Sequence, residues 1–390
     1  GGIFEGGLAV LNDAQTSGII NADTMALTFS DLTLVGDTTL ASSGQDLSVA
    51  AVTADGNGLT LDAGATGDVA LGSLAVTGTA GTLQITDSRT SVLGTAGGVT
   101  ASTVTLLDTT GDGAGNGITF ASDASLAALV TAAQPFDLAF TGTTNTIGGD
   151  TTLANSGTFT VNSAATEFTG GLDSRSALDG TFLAGEIFAT GTGQIDLGAT
   201  TLAGATTLNS GTGAINVASV AGAGEILTLQ TGGNAGAGDV AFLGDVTLDD
   251  LLVGAGTGAY DVALLGGGTF TENVDFLNTG ETTLGDDGGD TLVFDGGVRA
   301  TAAGGSVSTG GTIRTSDDAV ALGEGATTTA VGTVTLNANT TLVSGAGTVE
   351  LADVTDGPLD FFTLALQDGG IGDVRGAVVV RGDLSVNAIA

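Results

Sequence analysis

The chain has 390 residues, among them 69 Gly, 2 Pro, one Met (Met25) and one Tyr (Tyr260), with no Cys, Trp or His and with 43 acidic residues against six basic ones, all Arg. A formal charge of −37 excludes nucleic acid and anionic membrane surfaces as partners, since both need basic patches. An apolar fraction of 42% excludes disorder, and no apolar run approaches the roughly 18–20 residues of a membrane span, so no membrane insertion is expected.

From the amino terminus onward, short runs of period two alternate with breaks of Gly, Asp and Asn. Gly1-Gly2-Ile3-Phe4 carries neither an initiator Met nor a signal peptide, so the chain reads as processed or as cut from something longer. Leu32-Thr33-Leu34-Val35, Leu59-Thr60-Leu61 and Val104-Thr105-Leu106 are strands by their alternation, with apolar side chains inward and Thr outward. One segment has helical spacing: Ser122 and Asp123 offer a cap, Leu126, Leu129 and Val130 follow at i, i+3 and i+4, and Pro135 closes it. It reads equally as a short helix or loop and as a flattened coil of strand. Phe159-Thr160-Val161 and Val334-Thr335-Leu336 resume the strand pattern.

One block occurs three times. The first copy is Thr38-Thr39-Leu40, Leu47–Val52, Leu59-Thr60-Leu61 and Gly67-Asp68-Val69. The second is Thr206-Thr207-Leu208, Ile215–Val220, Leu227-Thr228-Leu229 and Gly238-Asp239-Val240. The third is Thr340-Thr341-Leu342, Val349–Val354, Phe362-Thr363-Leu364 and Gly372-Asp373-Val374. A Phe-x-Gly-Gly marker precedes each copy, at Phe4, Phe168 and Phe294, so the markers lie 164 and then 126 residues apart. Unequal spacing means that whole coils were gained or lost. A solenoid tolerates this because each coil touches only its neighbours, whereas a closed barrel or propeller does not. The sequence therefore predicts an all-β parallel β-helix (β-solenoid), an elongated rod continuous over residues 1–390, in three degenerate repeats at about 4–150, 151–275 and 276–390. At roughly 20 to 25 residues a coil this gives about 16 to 19 coils and roughly 75–95 Å of rod. Val49, Val217 and Leu351 hold the same place in the aligned copies and are expected inside, stacked in equivalent coils.

Thr206–Val220, Phe168–Leu172 and Leu107–Phe120 resemble the filamentous-haemagglutinin-like repeats of very large bacterial surface proteins, and the resemblance covers nearly the whole chain. It implies a right-handed coil, secretion, and an adhesive or scaffolding role. That family's amino-terminal secretion domain is not visible in this sequence.

Without His, Cys or Lys there is no Ser-His-Asp or Cys-His pair, no P-loop and no Schiff base, and the usual zinc ligands are missing. Two chemistries remain. Carboxylate catalysis on a polysaccharide would draw on Asp245, Asp249 and Asp250, or on Asp353, Asp356 and Asp360. Even scatter of the acids among turns, with almost no basic partner, favours solvated turns. Calcium is the second. Gly285–Phe294 partly matches the Gly-Gly-x-Gly-x-Asp repeat that holds Ca²⁺ between coils, with Asp286, Asp287 and Asp290 as ligands and Gly111–Gly117 as a looser echo. True repeats of this kind come in tandem, which favours a structural turn. Gly254–Gly258 precedes no helix and is no dinucleotide motif, and the Thr spacing drifts too much from coil to coil for a regular lattice-binding array.

These features point to a non-catalytic, structural protein of the bacterial cell surface or exterior that forms or extends a fibre. Its expected partners are itself, by end-to-end stacking or continuation of a longer chain, and divalent cations. An adhesin that binds glycans or other cells is the alternative, with residues 121–140 and 173–190 as the only candidate loops, and a polysaccharide-active enzyme comes third. No cofactor other than Ca²⁺ is implied. The first copy lacks the lead-in of the others and the third stops partway, which also points to a continuous fibre.

Overall fold

The computed structural model describes residues 2–3, 8–10, 14–23, 25–76, 78, 81–107, 117–300, 305–323, 332–357, 361–367, 373–374 and 377–387. The Phe4–Gly7 marker, Gly111–Asn116, Asp360 and Gly372 lie outside them. The described residues are all-β, with parallel strands stacked as a β-solenoid of about 15 turns. The only helical piece among them is the 3₁₀ turn Gly232–Asn234. They form two compact units, Gly1–Gly193 and Gln194–Ala390.

In the Gly1–Gly193 unit each coil contributes three strands to three parallel ladders. One ladder runs through Leu27, Leu47, Val69, Ser91, Ile118, Leu138, Phe159 and Thr181, so its coils take 20, 22, 22, 27, 20, 21 and 22 residues. The 27-residue coil, longer than expected, contains residues 108–116. Such expanded coils are one reason the turns are fewer than 16. Strand Leu47–Ala54 shows the rule: Leu47, Val49, Val52 and Ala54 are buried, while Ser48, Ala50, Ala51 and Thr53 face outward. Parallel coils stack identical strand positions about 4.8 Å apart, so aromatic rows stack as well. Phe120 and Phe140 lie 4.8 Å apart and 7° from parallel, and Phe159 and Phe168 close the cluster edge-on. Most polar side chains that enter the core have partners, Thr151 Oγ1 being an exception. Asn145 donates to Thr166 Oγ1 at 3.1 Å and accepts the Ala124 N–H at 3.1 Å. Residues 122–135 hold strands Ala124–Leu126 and Leu129–Thr131, so the flattened-coil reading is the one realised, with Leu126 and Leu129 inside and Val130 outside. Helical spacing and two strands joined by a short bend both place three apolar residues this way, and ladder bonding decides between them. Gly185 is required by its backbone: φ is +89°, and a Cβ would sit 1.7 Å from the Ser163 carbonyl oxygen.

The Gln194–Ala390 unit is built the same way. One ladder passes through Leu197, Val217, Phe242, Leu264, Leu284, Thr309, Leu336 and Asp356. A second passes through Leu208, Leu229, Val253, Phe276, Ala300, Leu322 and Leu351, and its last coil takes 29 residues. Phe270 stacks on Phe294 at 4.8 Å. Gln230, at φ +49° and buried, accepts the Gly236 N–H at 2.9 Å and donates to Gly238 O at 2.9 Å and Ser210 Oγ at 3.0 Å, which satisfies a corner folded into the core.

Val49, Val217 and Leu351 are buried, at 2%, 0% and 1% exposure. The expected equivalence of their coils does not hold between the second and third copies. Val217 and Leu351 stand in different ladders of the same unit, and Leu351 shares its ladder with Leu208, the first strand of the second block. The second and third copies thus take different sides of the coil.

Candidate functional site

Acidic groups lie within strands, as Asp196 and Glu350 do, and in larger part at the corners. Their commonest task is to accept the backbone N–H of the next coil at or just before the start of a strand. Asp37 accepts Gly58 N at 2.8 Å, Asp46 accepts Asp68 N at 3.0 Å, Asp123 accepts Thr144 N at 2.9 Å and Asp137 accepts Thr158 N at 2.7 Å. In the second unit Asp239 accepts Asp261 N at 2.8 Å, Asp261 accepts Glu281 N at 2.6 Å and Asp317 accepts Ala346 N at 2.8 Å. These amides precede ladder pairing, so a carboxylate one coil away supplies the acceptor that the backbone lacks there. The strongly acidic composition therefore has a structural cause that motif reading missed; its signal was the recurrence of Asp one coil, 20 to 29 residues, before a strand start.

The first catalytic candidates are split. Asp245 lies before strand Val246–Val253 and accepts Gly267 N at 3.1 Å, whereas Asp249 and Asp250 lie within that strand at a register shift. Asp249 O accepts the N–H groups of Thr271 and Glu272, which brings Glu272, unmarked in the sequence, beside the pair. Asp250 Oδ1 has no partner, and burial, then Glu272, then Asp249 push its carboxyl above the usual range. No described ion pair reaches this group. Of the second set, Asp353 is exposed and accepts Ala377 N at 2.7 Å, while Asp356 is buried and accepts Arg381 N at 2.7 Å. Three positions apart on a strand, they point to opposite sides and do not converge.

Asp286, Asp287 and Asp290 do converge, each with a carboxylate oxygen within 4.8 Å of the others. Asp290 Oδ2 accepts Asp286 N at 3.0 Å and Asp287 N at 3.1 Å, and Asp287 Oδ1 accepts Gly289 N at 2.6 Å. The loop thus closes on its own carboxylates. Asp286 is held above the usual range by burial and then by Asp290 and Asp287. Three hard oxygen ligands suit Ca²⁺, which takes about six to eight. Three described carboxylates have cations instead: Arg89 holds Asp68 and Arg175 at 2.6 Å holds Asp173, both below the usual range, and Arg299 lies 3.9 Å from Asp275.

Fold and corner chemistry together define a parallel β-solenoid whose acids bond coil to coil. Comparison with protein-family models, with curated proteins and with solved structures gives no match.

Proposed function

We propose that this chain is a non-catalytic structural element of an extracellular or cell-surface bacterial fibre, of the filamentous-haemagglutinin-like kind. The observation that carries this reading is the commitment of corner carboxylates to the next coil's amides, for example Asp137 to Thr158 and Asp261 to Glu281. The polar groups an enzyme would gather in a cleft are here spread along the stack as mortar. The partner of such a coil is another coil, in the same polypeptide or in a second copy, because parallel edges accept further strands. Side-by-side packing at a charge of −37 calls for divalent cations, with Asp286, Asp287 and Asp290 as the densest carboxylate group.

Immunogold imaging of the native material with an antibody against this chain tests the proposal. Continuous fibres outside the cell, loosened by chelation, are the expected result. Discrete intracellular particles, or polysaccharide turnover abolished by Asp249→Asn with Asp250→Asn, contradict it.

A further inference from the structure

In the Gln194–Ala390 unit one sheet face stands apart in charge. Two outward rows cross it coil by coil, one from Thr291 through Thr312 and Thr341 to Ser385, the other from Val293 through Arg314 to Asn387. Arg314 is the only charged residue in either row, in a chain with 43 acidic residues. It is exposed, and half-buried Val293 and Val343 hold the places before and after it. Among the described residues no ion pair reaches it, whereas Arg89, Arg175 and Arg299 each have a carboxylate. The ladder of Leu351 shows the contrast, since its outward row carries Asp275, Arg299, Glu350 and Asp373. The Arg314 guanidinium thus offers its fork of donors to a partner from outside the chain.

The same unit carries the complement. Asp239, Asp261 and Glu281 follow one another along one corner, where Asp239 Oδ1 accepts Asp261 N and Asp261 Oδ1 accepts Glu281 N. Asp239 and Asp261 are exposed, and each spends Oδ1 on the backbone, which leaves Oδ2 able to accept from a second donor. The corner row and the face rows all advance by one coil, about 4.8 Å, so two copies laid side by side keep step. An unrelated acidic chain has no such pitch to match. We propose that the Arg314 face receives the Asp239–Asp261 corner of a second copy, with Asp261 on the guanidinium and Asp239 opposite a hydroxyl of the Thr312 row. Contact between two acidic corners adds repulsion, whereas contact here neutralises a carboxylate. The outward row of the Val217 ladder is also free of charge from Asn216 to Val379, yet it offers no cation to fix a partner.

The contact is side by side and separate from coil-on-coil extension, so its failure leaves the fibre reading untouched. Sedimentation velocity of the whole chain, with chelator present and salt at about 0.15 M, is the test. Wild type should self-associate as concentration rises. Arg314→Gln should weaken the association about threefold or more and Arg314→Glu about tenfold or more, both with an unchanged unfolding temperature. Asp261→Asn keeps an acceptor for Glu281 N and should act like Arg314→Gln. Exchange of the two charges, Arg314→Glu with Asp261→Arg, should restore association to within about threefold of wild type. If the exchange variant unfolds, Asp261→Asn decides. A chain that stays monomeric, one that associates only when Ca²⁺ replaces the chelator, one that binds the acidic polysaccharide homogalacturonan but not itself, or association equal in wild type and Arg314→Glu would each overturn the proposal.

Discussion

The second and third copies of the repeated block lie in the same unit and share one local pattern, yet they occupy different sides of the coil. Ile215–Val217 of the second copy stacks under Val240–Phe242, in the ladder that leads on to Val334–Leu336. Val349–Leu351 of the third stacks on Val320–Leu322, in the ladder that descends from Leu208. The difference teaches what such a sequence specifies. Each strand encodes which residues point inward, and each corner encodes a turn. Neither encodes which of three chemically similar sides the strand will form. The side follows from counting strands along the chain, so a gain or loss of one strand and corner rotates every later block without breaking a single local rule.

The largest test of this comparison concerns the core. Val217→Asp and Leu351→Asp each bury an unpaired carboxylate, which costs several kcal/mol, and both should unfold at markedly lower temperature in calorimetry. The adjacent outward change Ala218→Ser should shift the transition little. If one of the two core variants behaves like the wild type, the blocks are not equally inside.

Deletion of residues 240–261 comes next. Register places Val262 directly on Val240, so the deletion removes one whole coil and returns each later strand to its own side. A soluble, cooperatively unfolding product is expected, with its unfolding temperature lowered by a few degrees. Aggregation or loss of cooperativity would show that the coils between the two blocks are not interchangeable.

A corner variant has a smaller effect. Asp261→Ala removes the acceptor for Glu281 N and should cost about 1 kcal/mol in urea unfolding, whereas Asp261→Asn, which keeps an acceptor, should recover most of it. Equal loss in both would assign the effect to charge and not to the corner bond.

Smallest is a pH effect of opposite sign at two carboxylates. Asp250 sits above its ordinary range, so its ionised form opposes folding at neutral pH, and stability is gained as pH falls through its raised value. Asp250→Asn should therefore raise the unfolding temperature slightly at pH 7, with the gain fading in acid. Asp68 sits below its ordinary range because of Arg89, so its contribution is present at neutral pH and is lost as pH falls. Arg89→Ala should lower stability only slightly at pH 7 for this exposed pair, and less in acid.

Much of this was legible in the sequence. Alternation in Leu47–Ala54 and Ile215–Leu229 gives inside and outside directly, because a strand has a period of two, and Asp286, Asp287 and Asp290 are close in sequence and so had to meet in space. What was hidden depends on contacts one coil away. Glu272 joins Asp249 and Asp250 only because the next coil folds over them. Residues 122–135 were ambiguous because their apolar spacing fits both a helix and two short strands, and only the ladders with Val99–Ala101 and Val104–Leu106 on one side and Thr144–Ile147 on the other choose between them.

The central claim, that the repeated block changes sides, is tested most directly by paired cysteines, since the chain has no Cys of its own. Glu350 is in register with Ala321, while Thr335 belongs to another ladder, next to Thr355. Neighbouring ladder positions fall within disulfide range. Ala321→Cys with Glu350→Cys should cross-link on mild oxidation, as should Asn216→Cys with Ala241→Cys. Thr335→Cys with Glu350→Cys should remain reduced. Cross-linking of Thr335→Cys with Glu350→Cys in place of the Ala321 pair would put the third block on the same side as the second and contradict the account.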